Sequence, residues 1–431
     1  MKSNKTLSIL DKSSWAMLYF VAATSPLLSL FAPLSLAVCF VLAGLFPAIS
    51  AITYRRYVWK DILNSHVYKV IAVFFVFGIL SVLWSIDPEQ SFSMWYRLLL
   101  LSVGLVALLE FIKQADIKNK QILCKTLAVA FFIALVAANI EIISDGSLSK
   151  FFQSFKAKEY KYELTDLNRG ASYLVIIFWC AISWLIVRSK LLFAVLLTVF
   201  TIFTVLRLES QSSSMALIVG LAVFPLISVF GKKALKAMMV LAVLAVIAVA
   251  ALSHKMNPQV MFDNIPEMPN SATEYRLYIW DYTAKRAMEK PVLGWGLNSA
   301  RSIPITREEY VLGGRHPLPL HPHNNVLQVW LELGFFGLAV FIAFLVSQIY
   351  AISNLKYSII NTHCKSELVH SGKKKVIRRL YENFPASMFF GLFAAYFAIG
   401  ETGYGIWQNW WVAGGLLSLV FIHSCFSIKK S

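Results

Sequence analysis

Twelve apolar stretches, at about 14–31, 33–53, 68–85, 92–112, 126–144, 171–188, 191–206, 214–230, 237–253, 325–352, 385–400 and 409–427, divide this chain almost from end to end. Each approaches the roughly 20 mostly apolar residues needed to cross about 30 Å of hydrocarbon. Lipid cannot satisfy open backbone N–H and C=O groups, so such a chain has to fold as helices. The content of 58% apolar residues, with 32 Phe and a mean hydropathy of +0.64, agrees. The prediction is an all-α polytopic membrane protein of about 12 transmembrane helices. It forms a single membrane domain over 1–431, with no internal repeat and no appended soluble domain. The segment from residue 14 lacks a small-residue cleavage site and is followed by another span, so it reads as a first membrane helix and not a removable signal peptide.

Basic residues orient the bundle. With the N-terminus (Lys2, Lys5, Lys12) in the cytoplasm and the spans alternating, several short clusters fall inside. They are Arg55/Arg56/Lys60/Lys69, Lys113/Lys118/Lys120/Lys125, Arg188/Lys190, Lys232/Lys233/Lys236, the Lys356–Arg379 cluster and Lys429/Lys430. That is 25 of the 40 Lys and Arg, in the short loops where the positive-inside rule holds best. Both termini are therefore expected in the cytoplasm. The net charge of +17 follows mostly from topology, and no nucleic-acid groove is implied, because the charges are scattered over many loops.

The remaining basic residues sit where that rule disfavours them. Arg97, Arg169 and Arg207 lie at or just inside the outer ends of predicted spans. Arg276, Lys285, Arg286, Lys290, Arg301, Arg307 and Arg315 lie in one long outer loop, 254–323, expected on the periplasmic side before the tenth span. Acids in that loop (Asp263, Glu267, Glu274, Asp281, Glu289, Glu308, Glu309) nearly balance them. Lys285, Arg286 and Lys290 read as the solvated face of a helix, and Arg97, Arg169 or Arg207 taken singly can snorkel to headgroups. As a group on one face, the arginines suit an anionic, lipid-linked ligand, because guanidinium binds phosphate in a two-point fork and charge placed in a membrane is costly unless it works. Cys39, Cys124, Cys180, Cys364 and Cys425 map to spans or the inner side, have no metal-like spacing and predict no disulfide.

Within the loop, Ser271-Ala-Thr-Glu274 resembles a capping box, and an amphipathic helix is expected over 275–290, stopped by Pro291. Arg276 and Trp280 are four apart and share a face of it. Pro291-Val-Leu-Gly294-Trp-Gly296 then makes a glycine turn. Loops this long are uncommon unless functional, which favours a lid over a membrane cavity. The loop closes on His321-Pro-His323-Asn324, which runs directly into a hydrophobic helix and fixes a histidine at the water–bilayer boundary. A neutral imidazole there can take a proton from a hydroxyl nucleophile. Two other readings stay open: His323 as a helix cap, and zinc held by His316, His321 and His323, a weak spacing for a metal. No Ser-His-Asp signature, Walker loop or Rossmann glycine pattern is present, so hydrolase, ATPase and oxidoreductase readings have no support.

His323-Asn324, nine residues, Gly334, two residues and Gly337 resembles the signature of the O-antigen ligase family, a superfamily that also holds O-antigen polymerases and protein O-oligosaccharyltransferases. Arg276-x-x-x-Trp280 followed by Pro291-x-x-Gly294-x-Gly296 looks like its upstream pattern. Trp84-Ser85-Ile-Asp87-Pro88, with Ser91, is similar to its first outer turn. The resemblance spans about 80–340. It implies a glycosyltransferase on the outer, periplasmic face of the bacterial inner membrane. An undecaprenyl-diphosphate-linked glycan would move onto a hydroxyl of the lipid A core in lipopolysaccharide biosynthesis. His323 would be the base, and arginines (Arg276, with Arg169, Arg207, Arg97, Arg301 and Arg315 as candidates) would hold the diphosphate. Asn324, Gly334, Gly337, Trp280, Gly294 and Gly296 would shape the site. No cofactor and no metal is expected, since fixed arginines can offset the leaving-group charge. The expected partners are the lipid-linked donor, the lipid A-core acceptor and membrane lipids.

One departure stands out: many members carry an Arg in a turn where this chain reads Gln211-Ser212-Ser213-Ser214-Met215. Arg207 is a possible replacement. An O-antigen polymerase of the same superfamily is the alternative to a ligase. A non-enzymatic polysaccharide or lipid transporter fits the spans, but not the placement of Arg276 and His323.

Overall fold

The structure, a computed structural model, describes residues 9–53, 65–154, 161–264, 271–354, 357–358 and 374–428. Lys2, Lys5, Arg55, Arg56, Lys60, Lys356, Lys429, Lys430, Glu267 and Cys364, all used in the sequence reading, lie outside those residues.

Helices dominate, as the hydropathy requires. They run α1 Ile9–Phe31, α2 Ser35–Thr53, α3 His66–Leu80, α4 Pro88–Gln114, α5 Ile117–Ile143, α6 Ser147–Gln153, α7 Asn168–Val187, α8 Leu191–Arg207, α9 Gln211–Phe230, α10 Lys232–Leu252, α11 Pro258–Asn264, α12 Ser271–Glu289, α13 Asn325–Ser353, α14 Lys374–Gly400 and α15 Asn409–Cys425. Among the described residues the one sheet is a two-residue antiparallel pairing of Tyr357–Ser358 with Ser427–Ile428. Among the described residues ten helices are long and apolar enough to cross a membrane, whereas α8 and α15 are shorter apolar helices of 17 residues. Against the expected 12 or so spans, ten helices reach full spanning length, and the stretches 191–206 and 409–427 form helices shorter than the roughly 20 residues a crossing needs. The loop helix is α12, which starts at Ser271, earlier than the predicted 275.

The bundle is organised around α7. It is apolar on every side, and a helix without a polar face has to be surrounded. Tyr173 through Ala181 are at most 1% exposed, packed by α1, α5, α8, α9, α14 and α15. A second apolar cluster lies under the long loop. Ile279, Ala284 and Ala287 of α12 pack with Leu297, Ala300 and the first turns of α13, including Val326, Leu327 and Trp330. The loop is thus folded onto the bundle as part of its core, which fixes the residues it carries.

Candidate active site

The start of α13 sets the geometry. Asn324 is its N-cap, with the side-chain Oδ1 accepting from the Leu327 N–H at 2.9 Å. That removes the capping reading for His323, which instead adopts a left-handed backbone (φ 56°) one residue earlier. Non-glycine residues pay a strain of order 1–3 kcal/mol there, and such strain concentrates at functional sites. The turn aims the imidazole at the 401–408 connector, where Nδ1 lies 2.5 Å from the Gly403 carbonyl oxygen. A carbonyl only accepts, so Nδ1 must donate, and the neutral ring keeps its Nε2 lone pair available. Burial, helped by the nearby Arg276 guanidinium, pulls the His323 pKa below 6.5 against the opposing Gly403 contact. The His321 ring lies 4.3 Å away. Burial, then His323, then Arg301 and Arg169 hold its pKa down to about 3, so both rings are neutral near pH 7.

The three sequence motifs dock on one another through backbone. Trp295 N–H donates to Leu331 O (3.0 Å), Gly296 N–H to Glu332 O (2.8 Å) and Phe335 N–H to Pro291 O (2.8 Å). This pairing breaks α13 at Gly334, whose φ of 63° and ψ of −160° lie in a region essentially reserved for glycine. A Cβ on Gly334 would fall 2.2 Å from the Val292 carbonyl oxygen, and one on Gly294 2.4 Å from the Glu332 carbonyl carbon. Gly337 sits one turn beyond the break against Leu333. The Trp84–Ser91 turn completes the assembly. Ile86 N–H donates to Trp295 O, Trp84 Nε1 to Leu293 O, and Ser91 Oγ to Leu297 O at 2.6 Å. Asp87 caps α4 and accepts from Ser302 Oγ at 2.6 Å, a bond that holds its carboxyl below the usual range. Trp280 of α12 donates to Pro322 O at 3.0 Å, which ties the loop helix to the backbone just ahead of His323.

These contacts surround a cleft of about 370 Å³. Leu34 and Ala37, Met94 and Arg97, Arg169, Asn298 and Arg301, Leu320 and His321, Gln328, and Gly405 with Trp407–Trp410 line it. Residues far apart in sequence therefore meet at one end of the bundle. Arg97, Arg169 and Arg301 are exposed in the cleft, and among the described residues none of the three forms an ion pair. Arg276 is outside that lining, half-buried near His323, and burial lowers its pKa while Tyr404 opposes that.

Two candidate arginines lie elsewhere. Arg207 donates to Asn139 Oδ1 at 3.5 Å and lies over the Phe203 ring, away from the cleft lining. Arg315 is exposed, with its guanidinium 5.4 Å from the Tyr275 ring centroid. His316 is separated from the histidine pair's cleft. Its ring edges Tyr310, and its Nδ1 accepts from Leu318 N–H. Among the described residues no three His, Cys, Asp or Glu are grouped to hold a metal ion. The four described cysteines are buried and free.

Two elements of the site escaped the sequence reading. The first is the 401–410 connector. Besides Gly403, its Ile406 N–H donates to Gln328 Oε1 (3.0 Å), its Trp407 Nε1 to Glu332 Oε2 (2.6 Å), and its Gln408 Nε2 lies 3.3 Å from His321 Nδ1. Its Gly-Tyr-Gly turn beside Trp407, Trp410 and Trp411 was the available signal. The second is Glu332, fully buried, which also receives the Asn298 N–H (2.6 Å) and Gln328 Nε2 (3.0 Å). In the Gln211–Met215 turn of α9, Ser213 joins Ser172 (2.9 Å) and Ser210 (2.8 Å), and Ser172 reaches the Tyr404 hydroxyl at 3.2 Å.

Comparison with known proteins agrees with the motifs. Residues 193–342 match the family described as O-Antigen ligase. Proteins carrying the name "Putative polysaccharide ligase" in Rickettsia conorii, Rickettsia felis and Rickettsia typhi are 27%, 27% and 28% identical to this chain. The alignments cover 84%, 82% and 82% of it and 80%, 79% and 79% of theirs. Over residues 193–342, the stretch that carries the His323 motif, this chain is thus similar to the O-antigen ligase family, and over most of its length to the rickettsial proteins.

Proposed function

We propose that this protein is a polysaccharide ligase. It moves a glycan from undecaprenyl diphosphate to a hydroxyl of the lipid A core at the periplasmic face of the inner membrane. The observation that carries this reading is the convergence of Arg97, Arg169, Arg301 and His321 on one cleft at the end of a membrane bundle, with the His323 ring 4.3 Å from that of His321. The arginines fit a diphosphate, and the bundle fits its prenyl chain. The rickettsial relatives' names favour a ligase over a polymerase.

In the reaction the acceptor oxygen attacks the anomeric carbon of the donor sugar. Its proton passes to His323 Nε2, while the bond from that carbon to the diphosphate oxygen breaks. The electron pair leaves with the diphosphate, and the charge developing there is met by fixed guanidinium groups. Gly403 holds the ring in the required tautomer, and burial with Arg276 nearby keeps it unprotonated. Because arginines supply the positive charge, the step is assigned no metal.

The test is transfer by purified protein from an undecaprenyl-linked donor to lipid A-core, in chelator. Product formation that persists is the expected result. Loss that zinc or magnesium restores would overturn the arginine assignment. In a deletion strain, a ligase leaves polymerised glycan on its carrier beside bare core, whereas core bearing a single repeat would mean a polymerase.

A further inference from the structure

Two chemically distinct sets of residues line the cleft. Arg97, Arg169 and Arg301 supply charge, whereas Asn298, Gln328, Gln408 and Asn409 with Trp407 and Trp410 supply amides and aromatic carbon. Amides beside indoles are poor partners for a diphosphate but suit a sugar, which offers hydroxyls around its edge and C–H groups on its faces.

The indoles are fixed in place. Trp407 Nε1 is bound to Glu332 and Trp410 Nε1 to Gln408 Oε1 at 2.9 Å. With both N–H groups engaged inside the protein, what the rings can offer a ligand is carbon surface. One face of Trp407 stacks on Phe74, with centroids 5.5 Å apart. The polar groups, by contrast, are not all spent. Asn409 Oδ1 and His321 Nε2 are buried atoms of cleft-lining residues that find no hydrogen-bond partner in the protein. The Gln408–His321 contact puts a lone pair on His321 Nδ1, so the neutral ring carries its proton on Nε2. The cleft therefore presents one orphaned acceptor, Asn409 Oδ1, and one orphaned donor, His321 Nε2–H. Buried polar atoms left unpaired cost stability, and each calls for an explanation. A hydroxyl-rich ring can satisfy both, since every hydroxyl donates and accepts.

We propose that the Trp407–Trp410 stretch of the lining is the seat of the first sugar ring of the lipid-linked donor. Asn409 and His321 read its hydroxyls, and the two indoles pack its C–H face. This rests on the transfer reading above and extends it, because it makes the 401–410 connector the part that selects the glycan. The arginines hold the diphosphate whatever sugar it bears.

The experiment uses the full chain in nanodiscs and two probes, a prenyl diphosphate without sugar and the same lipid bearing one N-acetylhexosamine. Asn409→Ala should weaken binding of the sugar-bearing lipid by about tenfold, as expected for one hydrogen bond to a buried group. Affinity for the bare lipid should stay unchanged. Trp410→Phe, which keeps an aromatic ring, should show the same selectivity with a smaller loss, and elution as a monodisperse peak verifies folding of both. Equal losses for the two probes, or none for either, would overturn the sugar seat while leaving the diphosphate site standing. Failure of the unaltered protein to bind either probe would overturn the transfer reading and this proposal with it.

Discussion

The two walls of the cleft are built differently. The wall formed by 291–298 and 321–337 is pinned backbone to backbone, with Trp295, Gly296 and Phe335 N–H groups all paired to carbonyls across it. The wall formed by 401–410 is held largely by side chains of the first: His323 on Gly403, Gln328 on Ile406 and Glu332 on Trp407. A backbone-pinned wall fails only when the backbone is disturbed. A wall hung on side chains can be adjusted one residue at a time while the first stays intact. Chemistry common to a family is better placed on the former, and recognition of a variable ligand on the latter.

The strongest test of this contrast is His323, which belongs to the first wall and steadies the second. His323→Ala should lower transfer by about 10²-fold or more, the usual scale for losing a general base, with membrane insertion and protein level unchanged. His321→Ala should cost less. In vitro turnover of purified variants measures both, and near-normal transfer by His323→Ala would remove the base assignment.

Backbone damage comes next. Gly334→Ala brings a Cβ within 2.2 Å of the Val292 carbonyl oxygen, at a φ that L residues rarely adopt, so a loss of about 4 kcal/mol or more is expected. Gly313 shares a positive φ of 73° but has nothing within 4 Å, so Gly313→Ala should cost only about 1 kcal/mol. Thermal unfolding in detergent compares them. Similar losses would mean that the pairing of 291–296 with the break in α13 does not hold the first wall.

The same contrast explains what the sequence could show. The first wall was legible because a backbone that must bend sharply demands glycine, and Gly294, Gly296, Gly334 and the capping Asn324 leave a spaced signature. The helices were legible because spanning lipid needs long apolar runs. The 401–410 wall was hidden, because its grip on the site comes from Gln328, Glu332 and His321, more than 70 residues away in sequence. Those residues read as ordinary positions of a membrane helix and its approach. Sequence also could not sort the arginines. Arg169 and Arg207 both occupy helix ends, yet only Arg169 faces the cleft, since Arg207 turns to Asn139 and Phe203.

Among the cations, Arg276→Lys keeps the charge but loses the planar fork, so transfer should fall about tenfold. Lys290, at the end of the same helix, is exposed and sits 4.0 Å over the Trp295 ring, whereas Arg276 is half-buried near His323. Lys290→Ala should leave turnover within about twofold of the unaltered protein, because an exposed cation–π contact is worth only about 0.5–1 kcal/mol. Donor affinity measured for each variant decides the matter. Equal tolerance at the two positions would detach Arg276 from the diphosphate.

The smallest expected effect is on pH, and its sign follows from burial. A base works unprotonated, and His323 has a pKa pulled below 6.5, so transfer should be level from pH 8 down to 6.5 and decline only under it. Stability cannot substitute for turnover as the readout. The depressed pKa values of His321 and His323 give stability that is fully present above pH 6.5 and is lost as pH falls, for His321 toward about 3. Glu401, pushed up to about 8 by burial, runs the other way, giving stability that is present below its ordinary 4.5 and is lost as pH rises to about 8. The two trends oppose each other across the working range, so a flat melting profile would say nothing about His323. Removing a nearby cation isolates it: Arg276→Gln should shift the acidic limb of turnover upward, toward 6.5, because the guanidinium disfavours the imidazolium. A limb that stays put, or that lies above pH 6.5 in the unaltered protein, would mean that the titrating group is not His323.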